Sequence, residues 1–340
     1  MNKRVAIFND TSVTNHYGCS TVMDNLVRLL RAHDLEPVFF WPVGQDWRPH
    51  AESIKKLNCF DAIIVNGEGS IHHSATRPRA EFLSALASFS QDELGIPAYL
   101  INATLYENGS AAYEHIRRYN KIYVRETMSQ RILKEQGIVS KVVPDLSLSF
   151  PAPDNAQKSR HGVLITDSVI KSVDAVLKGM RSKKGWSYLS MKADRSATLK
   201  KIASKMHKKI RIKEAHEKFN YKKFFTVRAD QEKFIRILLG KEFVVTGRFH
   251  TVTLCLLTRT PFVALESNTP KISAVLSDVF QSDRRLIPIE MLQKSDGNGL
   301  YNAYASYSTQ EQEAIESYLA LASEMSDRMI SEIADDIRAC

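Results

Sequence analysis

The sequence predicts an α/β protein built from two Rossmann-like domains that face each other across a cleft. Three observations carry this. Short apolar, β-rich runs alternate with longer amphipathic segments along most of the chain, the pattern of a parallel sheet covered by helices. The alternation stops at a Pro-rich polar stretch, Pro151–Gly162 (PAPDNAQKSRHG), and then restarts. The chain's 340 residues suffice for two domains, each with its own core.

In the first half, Arg4–Asn9 reads as a strand, and its apolar core Val5–Phe8 is too short for the h-region of a signal peptide. Ser20–His33 reads as a helix with Val22, Leu26, Leu29 and Leu30 on one face, the spacing of an amphipathic helix. Glu36–Trp41 is the second strand. Asp61–Asn66 (DAIIVN) is the third, and its nearly unbroken apolar character suits a strand covered on both faces. Ala80–Phe89 is helical. Ala98–Asn102, Lys121–Val124 and Lys141–Val143 complete the strands, with a helix over Thr127–Gln136 that stops at Gly137, a C-cap residue type.

After the linker, Val163–Thr166, Trp186–Met191, Phe224–Val227, Glu242–Thr246 and Pro261–Leu265 are the expected strands, with helices over Glu232–Leu239 and His250–Leu257. Gln310–Ile337 carries an apolar stripe at Ile315, Leu319, Ala322, Met325, Met329, Ile333 and Ile337, which calls for packing on a domain. The expected units are 1–152, 160–308 and a C-terminal helix over 309–340 that crosses back to the first domain.

Composition narrows the class. Hydrophobic residues make up 44% of the chain, as in ordinary globular proteins, and no apolar run approaches the roughly 20 residues of a membrane span. Cys19, Cys59, Cys255 and Cys340 lie far apart, so neither a disulfide framework nor a cysteine metal motif is expected. We read a reducing cytoplasmic setting. The net charge of +9 favours anionic partners. Much of it lies in 178–223, including Lys200, Lys201, Lys208 and Lys209. That stretch is expected to be a solvated face or a peripheral contact with the inner face of the cytoplasmic membrane. No nucleic-acid motif is present.

In open α/β sheets ligands bind beyond the carboxyl ends of the strands, so the residues there are the site candidates. The first strand is followed by Asn15 and Gly18, the third by Gly67-Glu68-Gly69-Ser70, Lys121–Val124 by Arg125 and Lys141–Val143 by Asp145. In the second half come Gly247-Arg248-Phe249-His250, then Lys271. Gly67–Ser70 is expected to form a short turn into a helix, whose N–H groups could hold an oxyanion. Arg248 and His250 form the sharpest pair: a permanent cation and a titratable group between a buried strand and an apolar helix.

Taken in order, NHYGCSTVMDNL, DAIIVNGEGSI, YVRETMSQRILKEQGI, VVPDLSLSF and VVTGRFHTVTLCLLTRTPFVALESNTPKI resemble the polysaccharide pyruvyl transferase family. The resemblance implies a GT-B-like pair of domains, and transfer of pyruvate from phosphoenolpyruvate to two hydroxyls of a glycan or lipid-linked glycan acceptor, forming a ketal. It implies neither a metal nor an organic cofactor. Arg248 and His250 fall on the family's donor-binding Arg-x-His element, Arg125 on its second basic position, and Gly67–Ser70 on its glycine-rich loop. The chain departs from the pattern at Glu68, where the loop's middle residue is usually glycine, and at Gly18-Cys19, where Asn-x-Gly-Asp is common.

On this reading Arg248, Arg125, Lys271, Asn15, Gly18, Gly67, Gly69 and Ser70 bind the donor. His250 donates a proton, and Asp145 or Glu68 accepts one. Two alternatives stay open. One is a glycosyltransferase using a nucleotide sugar, such as a CMP-sugar, with Glu68 as base. The other is a non-catalytic binding subunit of a polysaccharide assembly.

Overall fold

The computed structural model describes residues 2–57, 59–149, 159–184, 186–193, 229–294 and 298–340. The expected strand Phe224–Val227, the linker as far as residue 158 and the lysines at 200, 201, 208 and 209 lie outside these.

Two parallel sheets organise the chain. The first contains β1 (Lys3–Asp10), β2 (Leu35–Pro42), β3 (Ala62–His72), β4 (Ala98–Tyr106), β5 (Lys121–Val124) and β6 (Lys141–Val142) in the order β2-β1-β3-β4-β5-β6. The second contains β7 (Val163–Ser168), β8 (Ser187–Leu189), β9 (Phe243–Gly247) and β10 (Phe262–Ala264) in the order β10-β9-β7-β8. Every strand pairing is parallel. The winding direction reverses between β1 and β3 in one sheet and between β7 and β9 in the other. Such switch points leave a crevice at the carboxyl ends of the strands.

Each sheet is covered on both sides. One face of the first packs Phe8, Phe39, Val65 and Leu105 against Leu83 and Leu86. The other packs Val5, Ile7 and Ile64 against Val22, Met23, Leu26 and Leu30 of the helix Tyr17–Ala32. The helix Phe249–Thr258 is buried along its whole length, as its mostly apolar and small-polar composition requires. Of the expected single helix Ala80–Phe89, the structure makes two shorter ones, Pro78–Ser84 and Leu86–Phe89.

The helix Thr309–Ala339 begins with a capping box: Ser308 accepts from the Glu311 N–H, and the Glu311 carboxylate accepts from the Ser308 N–H. Glu311 also pairs with the buried Arg285 at 2.7 Å. At 31 residues, roughly 46 Å at 1.5 Å per residue, the helix is long enough to touch both cores. Ile315, Tyr318, Leu319 and Ala322 pack with the second sheet's helices. Met329, Ile330, Ile333 and Ile337 pack with the first sheet.

Further contacts tie the halves together at the strand ends. The Tyr17 N–H donates to the Met191 carbonyl at 3.1 Å and the Ala193 N–H to the Asn15 carbonyl at 3.0 Å. Tyr17 stacks on Phe234, with ring centres 4.8 Å apart. Ser147 donates to Thr253 at 2.7 Å, and Asp278 caps the helix at Thr127, accepting its N–H at 2.9 Å.

One local expectation is corrected. Gly67-Glu68-Gly69-Ser70 does not form a turn into a helix. β3 runs through it to His72, with a shift in register against β4 between Glu68 and Ile71. The cause is a bulge. Glu68 sits at φ +40°, a region non-glycine residues seldom enter, and the strand resumes beyond it.

Candidate active site

The bulge presents Glu68 to the β1–β3 crevice. Thr11 Oγ1 donates to its Oε1 at 2.5 Å, Asn66 Nδ2 donates to the same oxygen at 3.1 Å, and the Cys19 thiol donates to Oε2 at 3.3 Å. Three donors hold the carboxylate at this positive-φ position, which glycine would adopt without strain. Gly67 serves the sheet itself. A Cβ on it would lie 2.5 Å from the Ala103 Cβ in β4, so the close approach of β3 and β4 requires glycine here. Ser70 Oγ accepts from Asn9 Nδ2 at 3.2 Å.

Gly69 is different. A Cβ there would meet Lys271 Nζ at 3.5 Å and Arg125 Nη2 at 3.6 Å. The bulge therefore brings bare backbone between two cations. Arg125 is 2% exposed, with Nε donating to Thr104 at 2.8 Å, Nη1 to Asp145 at 2.8 Å, and its carbon 4.0 Å from the centre of the Phe249 ring. Lys271 is 9% exposed, and Nζ donates to Asn268 Oδ1 at 3.0 Å. No carboxylate lies within ion-pair distance of it among the described residues. Burial, and then the Arg125 charge, lower its pKa from 10.5 to about 8. An interior ammonium left without a counter-charge marks a place for an anion.

His250 is buried at the start of the helix after β9, and its Nε2 has no hydrogen-bond partner among the described residues. Asp145 Oδ2 is 3.9 Å away. Burial lowers the imidazole pKa, against the upward pull of Asp145 and Glu68. Asp145 is held below the usual carboxylate range, its burial outweighed by the charges of His250 and Arg125 and by hydrogen bonds from Ser147. Gly18 makes room for the imidazole: a Cβ there would lie 2.2 Å from the His250 Cβ.

Arg248 pairs with Asp167 at 2.5 Å and keeps its Nε buried without a partner among the described residues. Asp167 is fixed in turn by the Ser190 hydroxyl at 3.0 Å and the Met191 N–H at 2.9 Å. Asn15, at φ +58°, donates from Nδ2 to the Ala193 carbonyl at 2.5 Å and so clamps the two halves beside the site.

The structure thus gathers Glu68, Gly69, Arg125, Asp145, Arg248, His250, Lys271 and Gly18 at the two switch points. Asp167 was missed by sequence reasoning, and His16, which follows the first strand together with Asn15 and Gly18, was given no role. Asp167 directly follows the expected strand Val163–Thr166, where the strand-end rule would have found it. His16 stands between two residues the reading did select, and its ring centre lies 5.4 Å from that of His250.

Solved structures of similar fold are distant in sequence. S. aureus MnaA in complex with UDP superposes with a TM-score of 0.52 at 12% identity, covering all of this chain and 98% of that one. The glycotransferase of kitacinnamycin gives 0.51 at 10% identity, covering 100% and 99%. The Methanocaldococcus jannaschii UDP-GlcNAc 2-epimerase with UDP-GlcNAc and UDP gives 0.50 at 11% identity, covering 93% and 99%. At such identities they establish a GT-B-like fold and nothing about substrate. No protein of curated function matches the sequence. Residues 16–269 match the polysaccharide pyruvyl transferase family, a span that covers most of the chain, and the chain belongs to that family.

Proposed function

We propose that the protein transfers the pyruvyl group of phosphoenolpyruvate to two hydroxyls of a surface-polysaccharide sugar, releasing phosphate and leaving a ketal. The observation that supports this best is the pairing of Lys271 and Arg125 across Gly69, next to an imidazole nitrogen with no partner. Phosphoenolpyruvate carries two anionic groups and one carbon that must be protonated. Arg125 and Lys271 take one anionic group and Arg248 the other, by charge-assisted hydrogen bonds. Asp167 keeps the Arg248 guanidinium facing the cleft.

His250 gives its proton to the methylene carbon as a sugar oxygen attacks the neighbouring carbon. The arriving anions and Asp145 favour the imidazolium that this step needs. Asp145, tied to Arg125, is a weak base, so the hydroxyl proton goes to Glu68, whose Oε2 faces only the weakly donating thiol of Cys19. A second hydroxyl then displaces phosphate, which leaves carrying that hydroxyl's proton, and closes the ketal. In the same reading residues 1–152 and 160–308 are the two domains enclosing the cleft, and 309–340 joins them. The acceptor is a glycan or lipid-linked glycan, and the basic stretch 178–223 carries any contact with the inner membrane face. No helix among the described residues is long and apolar enough to cross a membrane.

The test separates binding from chemistry. Arg248→Met is expected to weaken phosphoenolpyruvate binding by roughly 2–5 kcal/mol, the usual cost of breaking a desolvated charge pair. His250→Gln is expected to leave donor binding nearly intact while turnover falls by about 10²- to 10⁴-fold. Near-wild-type turnover in His250→Gln defeats the assignment. If both variants matter only with a nucleotide sugar, the glycosyltransferase reading takes its place.

A further inference from the structure

Beside the donor cations lies a group of side chains that the proposed reaction only partly uses. His16, Cys19 and His250 are all buried, at 8%, 9% and 8% exposure. One ligand atom from each, two imidazole nitrogens and one thiol sulfur, falls within 4.8 Å of the others. His16 is the N-cap of the helix Tyr17–Ala32 and Cys19 is in its first turn, so the i, i+3 spacing places them on one face. His250 comes from the other sheet's helix, and only the missing side chain of Gly18 lets it approach.

One feature beyond the cluster itself points to a ligand. His250 Nε2 is a buried polar atom without a partner among the described residues, which in native structures needs an explanation. The donor set also selects the ion. Two nitrogens and a sulfur suit zinc and its borderline-soft neighbours, whereas magnesium and calcium require shells of oxygen. Glu68 and Asp145 supply negative charge nearby. Glu68 Oε2, 3.3 Å from the sulfur, can receive the thiol proton and pass it to solvent as the sulfur–metal bond forms, so one proton leaves for each ion bound.

We propose that His16, Cys19 and His250 bind one zinc-class divalent ion, and that the bound ion silences the enzyme by occupying the His250 nitrogen. The silencing rests on the catalytic role given to His250 above; the binding does not. This makes the chain a metal-inhibited transferase rather than a metalloenzyme, and fits a reaction that itself needs no metal.

Cobalt(II) is the probe for binding, titrated into the metal-free full chain with no donor present. One equivalent is expected to bind, with a thiolate-to-cobalt charge-transfer band that zinc displaces. Cys19→Ser should abolish the band, His16→Gln should weaken binding at least ten-fold, and Cys340→Ser, at the exposed thiol, should change nothing. A band retained in Cys19→Ser, or lost in Cys340→Ser, overturns the site. X-ray absorption of the wild-type zinc form is independent of variant folding: one sulfur with two imidazole nitrogens supports the site, and a shell without sulfur overturns it. In the turnover arm, one equivalent of zinc should stop phosphate release and a chelator should restore it. Zinc bound with turnover undiminished overturns the silencing and the catalytic role of His250 together. No binding overturns the site and leaves the pyruvyl-transfer reading standing.

Discussion

Replacing Lys271 with methionine should make the ligand-free protein more stable and the donor complex weaker. The ammonium is buried, and its pKa falls from 10.5 to about 8, so the folded state disfavours the charge by roughly 3 kcal/mol. The hydrogen bond to Asn268 is lost in the variant, at about 1 kcal/mol. Methionine fills a similar volume and needs no counter-charge, so a net gain of roughly 1–2 kcal/mol is expected, which raises Tm by a few degrees. Donor binding should weaken by about 2–5 kcal/mol, or from roughly thirty-fold to several-thousand-fold. The sign with pH follows. Below about pH 8 both folded and unfolded states carry the charge, and the full penalty applies. Between about 8 and 10.5 the folded state alone releases the proton and the penalty fades. Wild-type affinity for phosphoenolpyruvate should therefore weaken as pH rises through about 8, and Lys271→Met should lack that limb. Calorimetry and donor titration across this pH range read both effects. A variant that is less stable than wild type and binds phosphoenolpyruvate equally well would show that Lys271 is structural.

Gly18→Ala should cost about 1–3 kcal/mol of stability, because the new methyl would lie 2.2 Å from the His250 Cβ, and turnover should fall with it; an active, equally stable variant would refute the fit. Glu126 is fully buried, and desolvation raises its pKa to about 7, so native stability should decline by roughly 3 kcal/mol from pH 4.5 to 7 as the unfolded carboxyl ionises first. Glu126→Gln should flatten that slope in denaturant titrations at several pH values, and an unchanged slope would count against it. Reversing the charge of Lys200, Lys201, Lys208 and Lys209 should weaken salt-sensitive binding to anionic liposomes without altering donor affinity, and the idea fails if the wild type does not bind such liposomes even at low salt.

The two parallel sheets were legible because buried strands such as Ile63–Val65 and Val244–Val245 are continuous apolar runs, and the strand-end rule placed Arg125, Asp145, Arg248 and His250 in one region. Three things were not legible. The bulge at Glu68 depends on donors from Thr11, Asn66 and Cys19, which are distant or unremarkable in sequence. The Asp167 grip on Arg248 joins residues 81 apart; each stands at a strand end, but their pairing is set by the fold and not by local sequence. Gly67 and Gly69 look alike in sequence, yet one faces Ala103 and the other faces Lys271 and Arg125, a distinction set by the pleat and the bulge rather than by residue type.

Thermal stabilisation by donor tests the central claim most directly, because a ligand that binds the native state alone raises Tm, and by more the further its concentration exceeds Kd. The purified chain is heated with phosphoenolpyruvate, and separately with CMP-, UDP- and GDP-sugars. The account predicts that phosphoenolpyruvate raises Tm, that Lys271→Met and Arg248→Met lose most of the increase, and that the nucleotide sugars have no effect. Stabilisation by a nucleotide sugar, with none from phosphoenolpyruvate, would contradict it.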